Sequence, residues 1–133
     1  MLIASPRPSR WRDERGSTVV ETAILAPVLV FVTFLVFQTA FYYHDRNIVS
    51  SAAQVGVEAA RVEGAGPAAG QQAASSFLAQ AAPNLRGTSV SASSNGSTVT
   101  VVVTANVTAL VPLVSPPPVR ITATGPIEAV SSP

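Results

Sequence analysis

An uncharged run of 22 residues, from position 22 to position 43, constrains this chain more than any other feature. It reads TAILAPVLVFVTFLVFQTAFYY. A helix needs about 20 predominantly apolar residues to cross a hydrocarbon core, so this run is long enough to span a membrane. Tyr42, Tyr43 and His44 lie where aromatic side chains gather at a membrane–water interface, and charged residues follow them. The run therefore predicts a single-pass transmembrane helix embedded in a lipid bilayer.

The distribution of arginine predicts the orientation of this helix. Cytoplasmic segments beside a membrane helix carry an excess of Lys and Arg. The arginines lie mainly before the run, as Arg7, Arg10, Arg12 and Arg15, whereas only Arg46 and Arg61 follow it closely. We therefore expect the N-terminus in the cytoplasm and the C-terminal part outside the cytoplasmic (inner) membrane.

Two other interpretations of the run are a cleaved signal peptide and a buried helix of a soluble protein. A signal peptide has an apolar region of about 7–15 residues followed by small residues in an A-x-A arrangement. Here the run is longer, and it ends in QTAFYY, which is a poor cleavage site. A buried helix would need covering, and the rest of the chain offers few large apolar side chains for that purpose.

Composition narrows the possible functions. The net charge is only +1, and no long basic run appears outside the N-terminus, so we expect no nucleic-acid partner. Cysteine is absent, which excludes disulfides, thiolate metal sites and a lipidated cysteine. His44 is the single histidine, and no Gly-rich phosphate loop is present. We therefore expect no catalytic residues, no metal and no cofactor, and predict that the protein is not an enzyme; a membrane-bound enzyme is the remote alternative.

The junction before the run reads RGSTVVE, from Arg15 to Glu21. Gly16 has no side chain to prevent the backbone from lying extended in a protease cleft. Glu21 places a carboxylate in an apolar helix, at a cost of about 2.5–3.5 kcal/mol at a helix centre and less near its end. A simpler interpretation makes Gly16 a flexible joint, Ser17 or Thr18 the helix N-cap, and Glu21 a partner of the helix dipole.

This junction resembles the class III signal of type IV pilins and pseudopilins. The resemblance implies that a prepilin peptidase cuts between Gly16 and Ser17 on the cytoplasmic side and leaves the apolar helix in place. With Ala23, Pro27 and the Ala- and Gly-rich stretch that follows the span, residues 15 to 63 resemble the TadE-like family of tight-adherence (Flp) pilus systems. Thr22, where the family often has Phe, and the interrupted stretch from Gly56 to Arg61 depart from that pattern.

Helical character is expected to continue beyond the membrane to Glu63, which gives about 70 Å of helix from Ser17 at 1.5 Å per residue. Ala52, Gly56 and Ala60 recur every four residues, and small residues at this spacing let helices approach closely. The alternative is a solvent-exposed Ala-rich helix with a surface ion pair between Glu58 and Arg61. Pro27 is expected to kink or loosen the helix where neighbouring helices pack against it.

The remainder of the chain predicts a small α+β domain. A second helix should start at Pro67 and end near Ala82. Its expected inner face is Ala69, Ala73, Phe77 and Ala81, with Leu78 beside them. A period of two, with Val102 the one apolar residue on the otherwise polar face, predicts a strand whose other face is Val99, Val101, Val103, Ala105 and Val107. The Asn95-Gly96 pair predicts a type I′ hairpin to residues 89–93, and residues 119–124 form a third antiparallel strand.

The predicted organisation has three parts. Residues 1–16 form a cytoplasmic basic leader, 17–63 the transmembrane helix and its extension, and 64–133 a small extracytoplasmic domain.

The resemblance implies that the protein is a bacterial minor pseudopilin of a tight-adherence-type (type IVc-like) pilus or secretion machine. Its implied partners are other pilins or pseudopilins and the membrane proteins that assemble the pilus. Glu21 would dock a neighbouring subunit, and the protein could enter the extracellular pilus. The alternatives are a pseudopilin of type II secretion or DNA uptake, and an uncleaved membrane-anchored surface protein without a pilus role.

Overall fold

The computed structural model describes residues 4, 10–62 and 64–128. Within these ranges, side chains are described for Ala4 and from residue 15 onward. Two helices precede three strands: α1 (Arg10–Arg61), α2 (Gly66–Ala81), β1 (Arg86–Ser94), β2 (Thr98–Asn106) and β3 (Val119–Pro126). The strands form one antiparallel sheet in the order β1-β2-β3. This arrangement confirms the predicted α+β fold with a long N-terminal helix. The chain divides into two compact units between Val36 and Phe37.

Helix α1 begins earlier than the sequence analysis expected and runs through Gly16 without interruption. The interpretation of Gly16 as a non-helical joint, with Ser17 or Thr18 as N-cap, is therefore wrong. The helical segment ahead of Gly16 contains three Arg and one Glu, which are good helix formers, and this explains the earlier start. Pro27 also lies within the continuous helix, although its ring removes one backbone hydrogen bond.

The core of the second unit is built on the alternating face of β2. The predicted residues of this face, Val99, Val101, Val103 and Ala105, are all buried, and so is Val107 just after the strand. The C-terminal half of α1 contributes Val49 and Val57 to the same cluster, and α2 contributes Ala74 and Leu78. The sheet is therefore covered on one face by both helices, and β2 is its central strand.

The turn between β1 and β2 differs from the predicted type I′ turn. A type I′ turn centred on Asn95-Gly96 requires positive φ at both residues, whereas of the two only Gly96 has a positive φ, +94°. The backbone N–H of Asn95 donates to the carbonyl oxygen of Thr98 at 3.2 Å, so Gly96 and Ser97 are the central residues of the observed turn. The Asn95 side chain explains the difference, because its Oδ1 accepts hydrogen bonds from the backbone N–H groups of Ser97 (3.1 Å) and Thr98 (2.8 Å). Asn95 therefore stabilises the turn with its side chain and needs no left-handed backbone.

The buried face of α2 is displaced by one residue from the predicted face. Gly70, Ala74 and Leu78 are buried, whereas the predicted Phe77 is only half-buried. The physical reason is the close approach of α1, since a Cβ added at Gly70 would lie 2.6 Å from the carbonyl oxygen of Gly56. Only a glycine permits this distance, so Gly70 determines which side of α2 faces inward.

The predicted ion pair between Glu58 and Arg61 is not formed. The Arg61 guanidinium instead contacts the carboxylate of Glu128 at 3.2 Å and donates a hydrogen bond to the carbonyl oxygen of Pro126 at 2.9 Å. The backbone N–H of Glu128 also donates to the carbonyl oxygen of Arg61. Arg61 therefore joins the end of α1 to the segment that follows β3, a pairing 67 residues apart in sequence that helical spacing does not reveal.

Candidate functional site: the apolar helix and its leader junction

The first half of α1 exposes large apolar side chains around its whole circumference. None of its most apolar 18-residue window is buried within the chain, and the helix is long and apolar enough to cross a membrane. The exposed side chains include Val19, Val20, Ile24, Leu25, Val28, Leu29, Val30, Phe31, Val32, Phe34, Val36 and Phe37. A helix that is apolar on all sides requires an apolar environment on all sides.

Gly16 and Ser17, where the sequence predicts a leader junction, lie at the start of this apolar surface. Gly16 and Ser17 are exposed, and a Cβ added at Gly16 would meet no atom within 4 Å. Glycine in a helix interior costs roughly 1 kcal/mol relative to alanine. Gly16 is therefore a weak point of the helix with open space around its backbone.

Glu21 lies four residues after Ser17, so their side chains project from the same face of α1, one helical turn apart. Glu21 is exposed between the apolar side chains of Val20 and Ile24. Among the side chains that the structure describes, its carboxylate has no ion-pair partner. The hydroxyl of Thr22 donates to the carbonyl oxygen of Thr18 at 2.8 Å, so this neighbouring polar group is satisfied within the helix.

The small residues Ala52, Gly56 and Ala60 lie in the core of the second unit. A Cβ added at Gly56 would lie 3.0 Å from the carbonyl oxygen of Gly70 and 3.1 Å from Val101 Cγ1. Ala52 and Ala60 are buried in the same cluster. This face of α1 therefore packs against the chain's own α2 and β2, while Pro27 belongs to the exposed apolar half of the helix.

Gln38 is a structural residue that sequence analysis did not single out. Its side chain is only 6% exposed, although it belongs to the uncharged run. The amide nitrogen donates to the carbonyl oxygen of Thr108 at 3.2 Å, and the amide oxygen accepts from the backbone N–H of Leu110 at 2.5 Å. The sequence signal for this role was a single amide side chain among apolar residues, because an amide that becomes buried needs hydrogen-bond partners.

A shallow cavity of about 350 Å³ lies beside the outer end of the apolar run. Phe41, His44 and Asp45 line it on α1, opposite Pro83 and Leu85. Burial raises the pKa of the Asp45 carboxyl above its usual range, and the adjacent His44 partly opposes this shift. Within the described part of the chain, no three or more His, Cys, Asp or Glu residues cluster closely enough to hold a metal ion.

These features define a class of protein in which an exposed apolar N-terminal helix, able to span a membrane, carries a small α+β unit. Residues 16–58 match the family model described as TadE-like protein. The match begins at Gly16 and includes Glu21, Pro27, Ala52 and Gly56, and it confirms the resemblance inferred from the sequence. It covers about a third of the chain. No curated protein and no solved structure matches the chain.

The family match and the apolar helix are together consistent with a pilus-associated membrane protein. The matched segment contains Gly16 and Ser17, the whole uncharged run and most of the part of α1 that enters the core of the second unit. α2 and the sheet lie outside the matched segment, so the family match carries no information about their role.

Proposed function

We propose that this chain is a minor pseudopilin-like, single-pass membrane protein that takes part in assembling a tight-adherence-type pilus. The observation that carries this proposal is a Gly16–Ser17 junction placed five residues before a lone carboxylate at the head of an exposed apolar helix. In this proposal residues 1–16 are the cytoplasmic leader, 17–63 the membrane helix and its extension, and 64–133 the outer domain. Its action is helix packing, with no catalysis by this chain.

Leader removal would connect the junction to Glu21. Cleavage after Gly16 creates an α-amino group on Ser17, which at an ordinary pKa of about 7.7–8.0 is mostly protonated at neutral pH. Glu21 lies one turn away and faces the same side. A carboxylate in an apolar boundary is less unfavourable when paired with a cation, so Glu21 would contact this amine or that of an adjacent subunit.

The faces of α1 that pack against the rest of this chain are not available to partner helices. Ala52, Gly56 and Ala60 are already buried against α2 and β2. The exposed apolar surface between Val19 and Phe37 contacts lipid or the helices of other pilins, including the region around Pro27. Packing with partners would therefore involve the membrane half of α1, and the outer domain would accompany it as a preformed unit.

The uncleaved surface anchor is a second candidate, favoured by one observation. Helix α1 is continuous across Gly16 and Ser17, whereas a peptidase must bind this segment in an extended form. In the uncleaved form the basic leader would remain as the cytoplasmic end of the helix, and no new amine would form. The two candidates are separated by the N-terminus of the protein isolated from its native host.

We expect the mature protein to begin at Ser17. Replacing Gly16 with Leu should leave the leader attached to nearly all molecules, because the branched side chain obstructs the backbone in a protease cleft. Ser17→Ala is the matched control and should be processed normally. Intact-mass measurement and N-terminal sequencing of the membrane fraction report both results. A wild-type chain that begins at Met1, or beyond Tyr43, would rule out this cleavage.

We expect residues 64–133 to lie outside the cytoplasmic membrane. The natural chain has no cysteine, so single cysteines at Ser9 and Ser94 provide clean reporters. In cells whose outer envelope is permeable, an impermeant thiol reagent should label the Ser94→Cys variant and should label the Ser9→Cys variant only after lysis. Labelling of Ser9→Cys alone in intact cells would mean that the topology is reversed.

A further inference from the structure

The segment between β2 and β3 contains the sequence ALVPLV at positions 109–114, which we call the apolar loop. No charged residue occurs from Val107 to Val119. Leu113 is fully exposed and Leu110 is 41% exposed, whereas Val111 between them is buried. The apolar loop therefore presents two leucines outward while one valine attaches it to the fold.

The backbone of the apolar loop is held in a specific shape. The N–H of Val114 donates to the carbonyl oxygen of Val111 at 3.3 Å, which closes a turn around Pro112 and Leu113. Leu113 has φ +72°, a left-handed conformation that costs free energy for a residue with a Cβ. Glycine or asparagine suits such a position better, so the folded unit itself gains nothing from leucine here.

Gln38 fixes the position of this loop along α1. Its side-chain amide bonds to the backbone of Thr108 and Leu110, at the start of the apolar loop. Gln38 precedes Tyr43, the last residue of the uncharged run, by five residues, which corresponds to about 7.5 Å of helix. The loop is therefore attached to α1 within the run and not beyond its aromatic outer end.

We propose that the apolar loop inserts Leu110 and Leu113 into the outer interfacial layer of the same bilayer that α1 crosses. This inference rests on the proposed membrane anchoring of α1. The lipid surface is the occupant because the loop is joined at Gln38 to the membrane-spanning run and is uncharged. Irregular backbone is not tolerated in contact with the hydrocarbon centre, so insertion is limited to the interface. The loop is a second membrane contact that limits how α1 and the outer domain tilt and rotate.

Nitroxide labels on single cysteines test this inference in the full-length protein reconstituted in nanodiscs of phosphatidylethanolamine and phosphatidylglycerol. The reporters are Leu113→Cys and Leu110→Cys in the loop, Phe34→Cys in the span and Ser94→Cys in the distal hairpin. Collision rates with oxygen, which concentrates in lipid, and with a water-soluble nickel chelate are measured for each label. Circular dichroism checks that each variant retains its helices and sheet.

We expect Phe34→Cys to favour oxygen strongly, Ser94→Cys to favour nickel, and the loop labels to be several-fold less accessible to nickel than Ser94→Cys. Loop labels as accessible to nickel as Ser94→Cys, with Phe34→Cys still in lipid, would overturn the loop inference alone. Dipolar broadening between loop labels of two copies would assign the loop to a protein partner and also overturn it. A Phe34→Cys label in water would refute the membrane anchoring and the loop inference together.

Discussion

Replacing Glu21 with Gln is expected to reduce pilus assembly severely while membrane insertion and leader cleavage continue. The substitution keeps the size and hydrogen-bonding capacity of the side chain but removes the negative charge that would attract a neighbouring α-amino group. Truncation of one member of a desolvated charge pair costs roughly 3–5 kcal/mol. A loss of this size at each subunit contact would lower incorporation by orders of magnitude, as measured by counting pili and by site-specific cross-linking.

The competing explanation is that Glu21 only complements the helix dipole. That interaction contributes about 0.3–1 kcal/mol and needs no partner. A Val20→Glu, Glu21→Val double variant separates the two, because it preserves composition and dipole while rotating the carboxylate by about 100° around the helix. We expect the double variant to assemble as poorly as Glu21→Gln. Normal piliation in either strain would remove the case for a docking role.

Local sequence patterns predicted the sheet well because strand burial follows directly from alternation. Val99, Val101 and Val103 share one face of β2, and the opposite face is polar apart from one valine, so only one register buries all three. The turn before β2 is centred on Gly96 and Ser97, one residue later than predicted, and it is not of type I′. Dipeptide preferences do not show whether Asn95 supplies a left-handed backbone or, as found, a side-chain acceptor.

The packing of α2 and the role of Gln38 were not predictable in the same way. Alanines occur on several sides of α2, so its apolar pattern does not define one face. Phe77, as a large apolar side chain, was therefore expected to face the core. The inner face is determined instead by how closely two backbones approach at Gly56 and Gly70. Gln38 finds its partners 70 and 72 residues along the chain, and no local pattern encodes such a pairing.

For the proposed cleavage and docking residues, sequence patterns are more informative than the structure. Gly16 and Glu21 were identified from residue types and spacing, and the family match covers both. The structure adds that Gly16 is helical and unobstructed, and that Glu21 is exposed among apolar neighbours. The exposure of Glu21 favours a role outside this chain's own fold, because an exposed carboxylate on an apolar helix contributes nothing to the core.

Replacing Gly70 with Leu is expected to disrupt the packing of α2 against α1. Even the first added carbon would lie 2.6 Å from the carbonyl oxygen of Gly56 and 2.8 Å from Ala60 Cβ, so the two helices must separate. Overpacking costs about 1–3 kcal/mol, occasionally more, against a total stability of about 5–15 kcal/mol for an ordinary domain. This unit has a core of mostly Val and Ala, so the loss is a large part of its stability.

Amide hydrogen exchange in detergent-solubilised full-length protein measures this effect. Gly70→Leu should lower the protection of Thr98–Asn106 by at least about tenfold, the equivalent of 1.4 kcal/mol, whereas Gln72→Leu, on an exposed position of the same helix, should leave it unchanged. Gly70→Ala should destabilise more than Gly56→Ala, because the added Cβ meets a backbone oxygen at 2.6 Å in the first variant and at 3.0 Å in the second. Both substitutions improve helix propensity by a similar amount, about 1 kcal/mol, so the difference between them isolates the close approach. Equal protection in Gly70→Leu and Gln72→Leu would show that α1 and α2 do not pack at these glycines.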